Sequence, residues 1–244
     1  WAKGRFRGEQ MLYHSERIYG IDISKYQHKH RHRTYGIDWR NLRITRLGHT
    51  ADRNALGAVD YPVSFVYIKS TEGLTVFNPY YTQDVRAARR YGFPVGAYHF
   101  FSTRPAMCQA DYFLKKSRLR KGDLPPMLDV ELSDRRIAAM GGRDVLFREM
   151  LVWLKEVGRR SGTTPIIYVS QDFVNRYMPF APEELKKYPV WVARYGEYKP
   201  YVHLLYWQLS PDGRVRGIRG DVDIDVFNGS EEQFKRYLRT QTVK

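Results

Sequence analysis

Cysteine is almost missing: Cys108 stands alone in 244 residues, so no disulfide can staple the chain internally. Long apolar runs are missing too, and nothing reads as a membrane span. The turn after the first strand candidate, Ser24-Lys25-Tyr26-Gln27, lacks the glycines of a phosphate-cradling loop, which argues against a doubly wound dinucleotide-binding sheet. Internal repeats, low-complexity linkers and Pro-rich hinges are also absent, so the chain reads as one domain. Acidic residues are in deficit. Lys plus Arg number 41 against 26 Asp plus Glu, and the net charge of +15 favours polyanionic partners. Nucleic acid is not the expected one, because no helix-turn-helix, zinc or RNA-binding sheet motif accompanies the charge.

What is present suits a single β/α barrel. Such barrels commonly take about 250 residues, and 43% apolar with 15% aromatic residues can build a core. Residues 1–17 read as a basic leader with Lys3, Arg5 and Arg7, and residues 18–244 as the barrel. A first residue of Trp in place of Met points to removal of an upstream segment, a signal or an anchor. Short apolar runs predict strands at Tyr19–Ser24, Ser64–Ser70, Pro94–Phe101, Pro126–Leu132, Thr164–Ser170, Val190–Tyr195, Leu204–Ser210 and Val222–Phe227. Helical periodicity predicts helices over Tyr80–Tyr91 and Asp144–Arg160, each followed by a glycine stop. Strands alternating with helices imply a parallel sheet, and eight strands close a barrel. Residues 40–62 read as an irregular excursion, Cys108 as a small buried residue, and His28-Lys-His-Arg-His-Arg33 as a solvated basic loop, since its cations oppose a metal.

Strand parity carries the chemistry. Ile21 and Ile23 alternate with Asp22 and Ser24; Leu128, Val130 and Leu132 alternate with Asp129 and Glu131; Val222, Ile224 and Val226 alternate with Asp221, Asp223 and Asp225. Side chains on a strand alternate faces, and the outer face of a parallel barrel is covered by helices and must be apolar. The acids therefore point inward, toward the strands' C-terminal ends. Gathering like charges in a poorly solvated site is costly. A glycosidase accepts that cost, because it needs a protonated and an ionised carboxyl at one pH.

The segments Gly20-Ile-Asp-Ile-Ser-Lys-Tyr-Gln27, Ile37-Asp-Trp39, Phe65-Val-Tyr-Ile-Lys-Ser-Thr-Glu-Gly73, Pro94-Val-Gly-Ala-Tyr-His-Phe-Phe101, Leu128-Asp-Val-Glu131, Ile167-Tyr-Val-Ser170, Trp191-Val-Ala-Arg-Tyr195, Trp207-Gln208 and Gly220-Asp-Val-Asp-Ile-Asp225 resemble, in number and order, the family 25 glycoside hydrolases, muramidase-type lysozymes. The resemblance runs from about Gly20 to Gly229. It implies a modified α/β barrel, (β/α)5(β)3, and metal-free, cofactor-free cleavage of the β-1,4 bond after N-acetylmuramic acid in bacterial peptidoglycan. It also implies Glu131 as general acid, with Asp129, Asp223 and Asp22 as supporting carboxylates. The chain departs from the family pattern at Asn78, Asp84 and Asp225, and in a longer stretch between Trp39 and Phe65. Tyr98, Trp191, Tyr26, Phe101 and Trp207 are candidates for a saccharide platform, Asp225 for a further substrate contact, and Lys69 and Glu72 for a supporting pair. A monomer, secreted or held in the cell envelope without inserting stably in a membrane, is expected for an enzyme acting on a wall polymer.

Overall fold

The structure, a computed structural model, describes residues 15–30, 32–49, 55–193 and 202–244; the leader up to residue 14, Arg31, and Arg194 and Tyr195 lie outside the described residues. In chain order the main strands are β1 (Tyr19–Ile23), β2 (Arg43–His49), β3 (Ala55–Pro62), β4 (Val66–Glu72), β5 (Val95–Phe100), β6 (Met127–Val130), β7 (Ile166–Ser170), β8 (Val190–Ala193), β9 (Leu204–Arg216) and β10 (Val222–Phe227). All but β2 and β3 form a closed barrel in the order β1-β4-β5-β6-β7-β8-β9-β10, with β10 returning to β1. Seven of the eight run in one direction. The eighth, β10, is antiparallel to both neighbours, with Asp22 opposite Asp223 and Gly20 opposite Asp225.

This reversal corrects the expectation of an all-parallel sheet with acids at strand C-terminal ends. Asp221 and Asp223 lie at the N-terminal end of β10, and because the strand descends they still arrive at the end of the barrel where β1 and β6 finish, while Asp225 lies lower, opposite Gly20.

Helices cover the outside. α1 (Tyr81–Arg90) links β4 to β5, α2 (Ala106–Ser117) links β5 to β6, and α3 (Asp134–Ala139) and α4 (Arg143–Ser161) precede β7. After β7 the described residues form only the short α-helices α5 (Gln171–Arg176) and α6 (Glu183–Lys186) before the closing α7 (Glu231–Thr240). In α4 the residues Leu146, Phe147, Met150, Trp153, Leu154 and Val157 are buried, the stripe a 3.6-residue period lays on one face. Gly162, with φ 68°, ends the helix in the left-handed conformation that favours glycine. In α2 the buried stripe is Ala106, Gln109, Ala110 and Phe113, which turns Cys108 outward. The thiol is exposed, not buried as expected.

The described parts of 40–62, residues 40–49 and 55–62, are likewise more regular than expected. β2 and β3 form an antiparallel hairpin, and β2 pairs with the upper part of β9, which continues six residues past its expected end at Ser210. The hairpin extends the sheet beyond the barrel, burying Ile44, Leu47 and Val215 on one face.

Two cores result from the parity of the strands. The outward-facing Ile21, Ile68, Leu128, Val130, Val169, Val192 and Ile224 pack beneath the helices. Inside the barrel, Phe65, Tyr67, Tyr98, Met127, Tyr168, Trp191, Tyr206 and Phe227 form a second cluster. Trp191 sits at its centre, 4.9 Å from the Tyr67 ring and 4.8 Å from that of Tyr206. Gly20 and Gly96 leave room for these rings, since a Cβ at either would lie 2.3 Å from the ring of Phe65 or Tyr67.

Candidate active site

Above that aromatic floor, four carboxylates meet at one end of the barrel. β6 supplies Asp129 and places Glu131 just beyond its end, β1 supplies Asp22, and β10 supplies Asp223. Asp22 and Asp129 are buried, Asp223 half-buried, and Glu131 stands at the mouth, exposed on its outer side but desolvated by the barrel beneath it. Among the described residues no three His, Cys, Asp or Glu side chains are arranged to hold a metal ion.

Burial is the leading cause of every pKa shift in this cluster. It lifts Asp22 to about 7, helped by the Glu131 charge and opposed by hydrogen bonds from Gln208 and Tyr98. It lifts Asp223 to about 9, reinforced by Asp22, Glu131 and Asp221. Asp129 rises well above the carboxylate range, with Glu131 adding to burial and Lys69 opposing. Glu131 is raised as well, against the Lys69 charge and a hydrogen bond from Tyr168. The mouth therefore holds protons near neutral pH that exposed carboxylates would have lost.

The supports are specific. Lys69 Nζ lies 2.8 Å from Glu72 Oε2 and 4.3 Å from the centre of the Phe100 ring, a fixed cation beside the acids and the pair expected from sequence. Gln208 Nε2 donates to Asp22 Oδ2 at 3.1 Å, while its Oε1 accepts from the Tyr168 hydroxyl at 3.2 Å. Neither Gln208 nor Tyr168 was singled out as a site residue from sequence, although their inward parity on β9 and β7 was available. After β1, Ser24 and Gln27 cap each other's backbone, with Gln27 Oε1 2.7 Å from Ser24 N, and turn the chain sharply off the barrel. Gln27 Nε2 also donates to Asp221 O at 3.2 Å, tying this turn to the start of β10.

The aromatic candidates separate. Tyr26 stands on the rim and is 65% exposed. Tyr98 lies just under the acids and donates to Asp22, bounding the mouth from below. Trp191 is sealed within the floor, where no sugar touches it. Phe101 and Trp207 face the outer layer, because they fall on the opposite parity from Tyr98 and Gln208; both are buried against helices and loops and offer no platform. Asp225 is corrected in the same way. It is fully buried beneath Asp22, neither oxygen finds a hydrogen-bond partner of normal geometry, and burial with the charges of Asp22 and Asp223 pushes it far up.

His28 also departs from the expected solvated loop. It is buried, stacked at 4.0 Å on Tyr80, with Nε2 2.7 Å from Asp84 Oδ2 and Nδ1 3.0 Å from Tyr35 O. Burial alone would lower its pKa, but Asp84 and Tyr35 outweigh burial and raise it. The unusual Asp84 is thus the partner of His28. Asn78 instead caps a turn, donating to Lys69 O at 2.8 Å and accepting from Tyr80 N at 3.1 Å.

A cleft of about 290 Å³ opens beside Glu131, lined by Ser133, Asp134, Ser170, Phe173 and Tyr177 among others. A larger cavity of about 760 Å³ lies at the other end of the barrel, among Arg159, Lys187 and Lys244, and contains none of the mouth's acids. The chemistry follows the smaller one.

The sequence model of glycosyl hydrolases family 25 matches residues 21–218, a span that includes Asp22, Asp129 and Glu131. The chain is a family 25 glycoside hydrolase. Lysozyme M1 of Streptomyces globisporus is 29% identical over 229 residues, covering 87% of this chain and 68% of that protein. An uncharacterized protein, YegX, of Escherichia coli K12 is 33% identical over 225 residues, 91% of this chain and 73% of that one. In three dimensions, the bacterial lysozyme from Streptomyces coelicolor aligns with a TM-score of 0.71 at 27% identity, covering 90% of this chain and 96% of that one. Family 25 membership makes the protein a muramidase-type glycosidase in class, and its barrel is the family 25 barrel.

Proposed function

We propose that this family 25 enzyme hydrolyses the β-1,4 bond between N-acetylmuramic acid and N-acetylglucosamine in bacterial peptidoglycan, with Glu131 as general acid and Asp129 assisting. It acts as a monomer, secreted or at the cell envelope. The observation that carries this reading is the vertical order of the acids on β6. Glu131 stands at the open mouth with a raised pKa, where it can give a proton to a leaving glycosidic oxygen. Asp129 is buried below it on the same face of the strand, about 7 Å away along the chain direction. Two carboxyls approaching from one side suit substrate assistance, in which the sugar's own 2-acetamido group attacks the anomeric carbon and Asp129 orients it. Asp22, held by Gln208, positions the sugar or accepts a proton from the incoming water, and Asp223, which keeps its own proton at neutral pH, positions the sugar. Tyr26 on the rim gives the glycan a ring to stack on.

The test is fragment mass after digestion of purified peptidoglycan by wild type and Glu131→Gln. Wild type should release fragments ending in reducing N-acetylmuramic acid, and the variant should lose at least about a hundredfold in rate. A variant retaining more than about a tenth of the rate removes Glu131 from the acid's role. Release from chitin in place of peptidoglycan reassigns the substrate.

A further inference from the structure

The sheet extension beside the mouth has a feature that stability does not explain. Where β2 pairs with β9, Arg43 stands opposite Arg216 and Arg46 opposite Arg214. Like charges directly opposed across a ladder are unfavourable, and here two such pairs share the solvent face while Ile44 and Val215 bury the other. Two carboxylates offset part of this charge. Asp60 accepts from Arg43 Nε at 2.5 Å, and Asp221 pairs with Arg214 Nη1 at 2.5 Å. Among the described residues, neither Arg46 nor Arg216 has a salt-bridge partner. The face is also tied to the catalytic end: Asp221 is two residues before Asp223 and its charge is felt there.

We propose that this arginine face binds the stem-peptide carboxylates of the same glycan strand whose backbone lies in the mouth, an inference that rests on the function proposed above. The argument is charge complementarity. A peptidoglycan strand carries free carboxylates on its stems, and the mouth, lined with acids, offers them among the described residues no cation but Lys69, which is already paired with Glu72. Guanidinium forks set along a twisted sheet edge next to that mouth are the groups that recognise carboxylates best. An exposed pair contributes little by itself, but several acting on one multivalent polymer add up.

The experiment measures equilibrium binding of soluble glycan strands, intact or stripped of their stems by an amidase, in a Glu131→Gln background that prevents turnover. The parent should prefer intact strands by about fivefold at low salt, an advantage that fades as salt screens the contact. Arg46→Gln/Arg216→Gln should abolish the preference without changing affinity for stripped strands, and should leave the melting temperature unchanged or higher, since it removes like-charge pairs. Equal parent affinity for both strands, or a preference surviving in the double variant, overturns the proposal. Tighter binding of a soluble polyphosphate than of stem-bearing strands, lost in the same variant, assigns the face to phosphate and also overturns it. If the protein with Glu131 intact cleaves neither strand, the proposed function fails first and this inference falls with it; cleavage of both with equal affinity sinks this inference alone.

Discussion

Below Tyr98 the barrel interior is filled by rings around a single carboxyl, Asp225; above it, by carboxylates. The floor of Phe65, Tyr67, Trp191, Tyr206 and Phe227 satisfies packing. The mouth, built higher in the same barrel on β1, β6 and β10, gathers Asp22, Asp129, Glu131 and Asp223 against burial and mutual repulsion. The difference teaches that the two layers of one barrel answer to different demands. The floor supplies the stability that lets the mouth stay frustrated, and the frustration keeps protons on the acids at neutral pH.

That contrast can be broken from the floor upward. Trp191→Ala, which empties the centre of the floor, should cost about 3–5 kcal/mol of stability; a denaturation midpoint close to wild type would mean the floor is not the stabilising layer. A smaller loss, about 1–3 kcal/mol, is expected for Gly20→Ala, because the new methyl meets the Phe65 ring and the core must shift. Differential scanning of the purified variant checks it, and an unchanged melting temperature would show the floor to be loose. The smallest effect, and the sharpest in sign, belongs to Asp225→Asn. The folded-state pKa of Asp225 is raised, so the fold is favoured below the ordinary carboxylate value of 3.8 and penalised as pH rises above it. The variant should therefore gain stability over wild type at pH 8 and lose that advantage near pH 4. A difference of the same size at both pH values would mean that Asp225 is not the strained group.

Much of this was legible in the residues. All eight barrel strands lie where short apolar runs placed them, shifted by a residue or two at most ends, because burial on both faces leaves a strong signal. Parity put Asp22, Asp129 and Asp223 inside, and the same rule, applied to the aromatics, would have excluded Phe101 and Trp207 from a sugar platform. The direction of β10 was not legible. A period-two alternation reads the same from either end, so Asp221 to Val226 could not say which way the strand ran. The β2–β3 hairpin was hidden for a related reason: a register shift between Ile44 and Arg46 breaks the alternation, and the arginines look like loop. His28 was misplaced because its partner, Asp84, is 56 residues away.

The reversed last strand has a mechanical consequence. β1 starts at the floor, next to Ile18, and β10 descends to the floor before α7 begins. The final residues are fastened there as well, Val243 between Gly122 and Asp123 and Lys244 on Ser161. Both ends of the folded barrel therefore leave from the side opposite the acids. A leash attached at either end, to a surface, a bead or another domain, holds the protein like a cup by its base, with its opening turned toward whatever lies beyond.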